Sequence, residues 1–142
     1  MSNQENSNTS MTTDSIHITP EEIAQYREQF SGYPESLDAL DLIEENDGDL
    51  KQAASLLALE SGVVISKKGP NILDELAQKS RNIVCDEVFI NELMTGVLTA
   101  AVASLTASGQ IPAALATPVV IYLAKKGVKK WCESSNGEPK TP

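Results

Sequence analysis

From Leu93 to Ala124 the chain carries no charged side chain, a run longer than the roughly 20 residues that a membrane-spanning helix needs. Such a stretch must enter lipid or be covered by protein, and this limits what the chain folds into more than any other feature. Gly109 and Pro112 divide it, and each piece then falls short of the roughly 20 residues of a span. Its Ala, Ser and Thr residues make it only mildly hydrophobic and suit two helices that approach closely as a hairpin, in water or in lipid. Only 4% of the residues are aromatic, so any core is built from Ala, Leu, Ile and Val, the composition of packed helices. An all-α protein is predicted.

Upstream, the helix signals are local and ordered. Residues 1–18 are rich in Asn, Ser and Thr and hold too little apolar surface to repay ordering, which predicts a disordered tail. Thr19-Pro20-Glu21-Glu22 combines an N-cap, a Pro at the first helical position and a Glu three residues after the cap. The helix it starts carries Ile23, Tyr26 and Phe30 on one face. Ser31-Gly32-Tyr33-Pro34 interrupts it and starts a second helix with Leu37, Leu40 and Ile43 inward. Gly48 suits the left-handed position that closes that helix, and Asp49 to Gln52 reads as a second capping box. Leu50, Ala53, Ala54, Leu57 and Ala58 then form the stripe of a third helix ending before Gly62.

Residues 63–70 read as a linker, and Asn71 as the cap of a helix bearing Ile72, Leu73, Leu76 and Ala77. After a break around Ser80 to Asp86, one long helix is expected from Asp86 to Ser108. A last one runs from about Pro112 to Cys132, kinked near Thr117 by Pro118. Residues 71–133 thus form a second helical region ending in the uncharged hairpin, and residues 134–142 a disordered polar tail.

Two stretches resemble a known family. Ser31-Gly32-Tyr33-Pro34 sits where ubiquitin-associated (UBA-like) domains have a Met-Gly-Phe/Tyr turn. The run from Ala39-Leu40 through Asn46-Asp47-Gly48-Asp49 to Ala53-Ala54-Ser55-Leu56-Leu57 is similar to that family's second and third helices and the joint between them. The amino-terminal module of elongation factor Ts has the same pattern. The resemblance covers residues 19–62 and implies a three-helix bundle that binds another protein through Gly32, Tyr33, Leu56 and Leu57. Ser31 stands where ubiquitin binders usually place an apolar Met.

Charge narrows the partner. The formal net charge is -9, and most of the 20 acids precede residue 66, where Arg27 and Lys51 are the only bases. An acidic surface does not neutralise phosphates, which argues against nucleic acid. The opposite sign is concentrated in Lys125, Lys126, Lys129 and Lys130 beside Trp131. These residues read as a cationic final turn with Trp131 packed on the bundle, or as a contact to a membrane surface or an acidic partner.

Catalytic chemistry lacks its parts. The single His17 lies in the expected tail, so a His-based triad or metal site is not expected. The acids around Gly48 miss calcium-loop spacing, because Ile43 and Ala54 fall where oxygen ligands are needed. Cys85 and Cys132 form no CxxC pair and read as reduced, partly buried thiols. The amino terminus lacks a signal-peptide pattern, from which a cytoplasmic location is expected.

The reading is a non-catalytic adaptor or regulatory protein, without cofactor or metal, whose partner is another protein. Residues 93–124 are expected to be buried in self-association or against a larger partner. The alternatives are a peripheral or hairpin-inserted membrane protein and a ubiquitin receptor.

Overall fold

The computed structural model describes residues 16–62 and 72–133. The expected tails, linker and Asn71 cap lie outside them, except for residues 16–18. The protein is all-α, with helices α1 (Pro20–Gln29), α2 (Pro34–Glu45), α3 (Leu50–Ser61), α4 (Ile72–Lys79), α5 (Arg81–Val84), α6 (Glu87–Met94), α7 (Leu98–Ser108) and α8 (Ala113–Lys126). A terminal helical turn, α9, covers residues 128–133.

The capping chemistry behaves as its residue types require. The Thr19 N–H donates to Glu22 Oε1 (3.0 Å) and the Glu22 N–H to Thr19 Oγ1 (3.1 Å), a complete capping box. At α3, Asp49 Oδ1 accepts from the Gln52 N–H at 3.0 Å, the N-cap half of the second capping box expected there. The stripe expected on α3 and the four apolar positions expected on α4 are all buried.

Three expectations need correction. Ile16 to Ile18, expected in the disordered tail, belong to the fold: the Leu50 N–H donates to the Ile16 carbonyl (3.0 Å) and the Ile18 N–H to the Gly48 carbonyl (2.8 Å). His17 and Asp49 form an antiparallel bridge, and Ile18 is buried in the core. Two apolar residues around one polar residue suffice to seal the α2–α3 corner. Gly48 is needed there twice, since its φ is +82° and a Cβ would overlap the Ile18 carbonyl oxygen.

The long helix expected from Asp86 to Ser108 is two helices. The chain turns through Thr95, Gly96 and Val97, with Gly96 at φ +83°. The Leu98 N–H at the start of α7 has no capping side chain of its own and donates instead to Gln29 Oε1, 2.9 Å away on α1. The final helix is likewise divided, at Gly127 (φ +92°), while α8 continues through Pro118. The second region therefore has more, shorter helices than the three expected.

The decisive packing feature is α8. It contacts α2, α3, α4, α6 and α7, and all side chains from Leu115 to Leu123 are buried. Buried residues of α1–α3 and of α4–α9 form one hydrophobic cluster with α8 inside it. Burying one large aliphatic side chain contributes roughly 1.5–3 kcal/mol, and α8 offers several in succession. Polar ties fix the same seam: Ser36 and Thr117 share a buried 2.7 Å hydrogen bond, and Lys125 pairs with Glu22 at 2.8 Å. Thus half of the uncharged stretch is covered by this chain itself.

Candidate functional site

The turn after α1 is set by its backbone and one aromatic pair. Phe30 is fully buried, and its carbonyl accepts the Tyr33 N–H at 2.9 Å. The Tyr33 ring stands edge-on to Phe30, with centroids 6.3 Å apart and planes at 86°, a favoured aromatic geometry. It nevertheless remains 46% exposed. Nothing approaches the Gly32 Cα on the side where a Cβ would project, so the turn is open above the ring.

Facing this turn is α7. Leu98, Ala101, Val102 and Leu105 are its buried side. Its outer side consists of small residues, and the Thr106 hydroxyl is satisfied within the helix by the Val102 carbonyl at 2.8 Å. Between turn and helix lies a groove of about 340 Å³. One wall is Gly32, Tyr33, Pro34, Glu35 and Ser36. The other is Val102, Ala103, Thr106 and Ala107, with Ala113 at the end. Among the described residues that line it, Glu35 is the sole ionisable group besides the Tyr33 phenol. Ala107 also lines a second depression on the far side of α7, beside the exposed Val88.

The structure brings two of the expected partner-binding residues to this groove and leaves two out. Gly32 and Tyr33 line it. Leu56 is half-buried on α3, and Leu57 is 5% exposed. Neither lines the groove, and Leu57 seals the core rather than offering a surface, because α3 packs its stripe on α8. The α7 wall was not anticipated. Its signal was present in the spacing of Ala103, Thr106 and Ala107, small residues on one side of a helix, but only the tertiary partner Tyr33 gives that spacing meaning.

The basic cluster is also partitioned. Trp131 is buried, and its Nε1–H donates to Asp74 at 2.7 Å, so it is no surface contact. Lys125 is engaged by Glu22, and Lys126 lies 5.9 Å from the Tyr122 ring centroid. Lys129 and Lys130 are exposed. The hydrogen bond from Lys125, helped by the Thr19 N–H, holds the Glu22 carboxyl below its usual value near 4.5. Arg27 donates to Asp41 and Glu44.

The cysteines are joined. Cys85, just after α5, and Cys132 on α9 form a disulfide with Cα atoms 5.8 Å apart, not two free thiols. Helix packing brings them together across 47 positions of sequence, a separation that no local motif announces.

No protein-family model, curated protein or solved structure matches this chain. Among the described residues no helix is long and apolar enough to cross a membrane.

Proposed function

We propose that this protein is a non-catalytic protein-binding module whose site is the groove between the Gly32–Tyr33 turn and α7. The observation that carries the reading is the position of Tyr33. A large amphipathic ring is held edge-on to a buried Phe, yet nearly half exposed, opposite a wall of small uncharged side chains. Rigid aromatic residues beside a pocket are the usual anchors of protein interfaces. The resemblance of residues 19–62 to UBA-like domains supports the same turn as a contact. The ubiquitin and membrane readings each lean on a residue inside the protein, Leu57 and Trp131.

Affinity capture with the full chain tests this against Tyr33→Ala, Ala103→Arg and, as a control, Leu59→Ser, which alters a side chain 74% exposed on α3. A partner retained by the control and lost by both groove variants is expected. A partner set unchanged by Tyr33→Ala and Ala103→Arg, with both variants folded, contradicts the site.

A further inference from the structure

We infer that the groove takes an amphipathic helix of another protein with an apolar face flanked by Lys or Arg, an inference that rests on the groove being the binding site. Shape points to a helix. Val102–Thr106 and Ala103–Ala107 are two i, i+4 pairs on the α7 wall, the rows between which side chains of a second helix insert. Small side chains there let its backbone come close.

Charge selects its flanks. Among the described residues lining the groove the one charged side chain is Glu35, and Asp38 is exposed one turn further along α2. Among the described residues no Lys or Arg lines the groove. In α1–α3 the one Arg is committed to Asp41 and Glu44 and Lys51 lies on α3, outside the groove lining, so acids outnumber bases across this module. A two-fold pairing of two copies through this face would set acidic modules against each other. The chain's own basic segment is also a poor occupant, because Val128, Trp131 and Cys132, its apolar side, are buried.

The test uses the intact protein and three fluorescent helical peptides of about 18 residues, long enough to lie along α7. They share a Leu/Ala face and carry Lys, Gln or Glu on the flanks, and binding is read by anisotropy at low salt. The Lys peptide is expected to bind at least about tenfold more tightly than the Glu peptide, with Gln between, and to weaken as salt rises. Glu35→Lys should compress or reverse that order, and Ala103→Arg, checked by thermal melting, should abolish binding.

Equal affinity for all three peptides, still lost in Ala103→Arg, would overturn the charge inference and leave the groove standing. No peptide binding at about 1 mM, or binding that survives Ala103→Arg, overturns both. A concentration-dependent dimer abolished by Ala103→Arg assigns the face to a second copy and likewise overturns the inference.

Discussion

α7 and all but the last two residues of α8 come from one uncharged stretch, yet α8 buries every side chain from Leu115 to Leu123, whereas α7 buries Leu98, Ala101, Val102 and Leu105 and leaves a small-residue side open. Absence of charge between Leu93 and Ala124 does not separate them. Position does: α8 is surrounded by α2, α3, α4, α6 and α7, while α7 packs against α8, α6 and α5. Lack of charge permits burial without requiring it, and the helix left half covered is the one that meets an exposed aromatic side chain.

The strongest way to sharpen this contrast is to remove apolar volume from α8. Ile121→Ala, at a fully buried site, should lower unfolding free energy in urea by about 3–5 kcal/mol. Thr106→Ala on the open side of α7 should change it by less than about 0.5 kcal/mol. Similar losses at both sites would break the distinction.

Reduction of Cys85–Cys132 comes next. Opening a loop that spans 47 positions frees the turn following α8, and should cost about 2–4 kcal/mol. A lower urea midpoint with dithiothreitol, followed by the emission of Trp131, measures it. An unchanged midpoint would show that packing alone holds the turn against α4 and α5.

The seam between the two sequence regions can be probed at the Ser36–Thr117 hydrogen bond. Ser36→Ala leaves the buried Thr117 hydroxyl unpartnered and should cost about 1–2 kcal/mol, and adding Thr117→Val should recover much of it, because both polar groups are then gone. Strict additivity in that double-mutant cycle would mean that the two hydroxyls do not interact.

Acid should have the smallest effect. Since the folded-state pKa of Glu22 is depressed, its pairing with Lys125 stabilises the fold above the ordinary carboxyl range near 4.5 and is lost as pH falls through and below it. The pair is partly solvated, so the loss should be about 0.5 kcal/mol or less. Glu22→Gln should remove that portion of the pH dependence, and an unaltered stability difference between pH 7 and pH 3 would count against the pairing.

Legibility in the sequence followed the range of the causes. Thr19, Glu22, Asp49 and Gly48 act on backbone groups within a few positions, so α1, α2 and α3 could be placed from spacing alone. The division between α6 and α7 could not, because Gly96 reads as an isolated glycine until Gln29, far away in sequence, is seen to cap Leu98. Pairing of Cys85 with Cys132 and the depth of α8 were hidden for the same reason. Half of the groove, Gly32 and Tyr33, was visible as a turn. Its α7 wall was not, and Leu57 carried an apolar stripe that served the core equally well.

One pair of substitutions tests the central claim directly: the same change, Ala to Arg, at Ala103 on α7 and at Ala116 on α8, with urea unfolding of both. Ala103 is exposed and Ala116 has no exposed surface. Ala103→Arg should remain folded within about 1 kcal/mol of the parent, whereas Ala116→Arg, which forces a charge into the shared core, should lose at least about 4 kcal/mol or fail to fold. An Ala116→Arg protein within about 1 kcal/mol of the parent, or an Ala103→Arg protein as damaged as its counterpart, would contradict the division between a buried helix and a half-covered one.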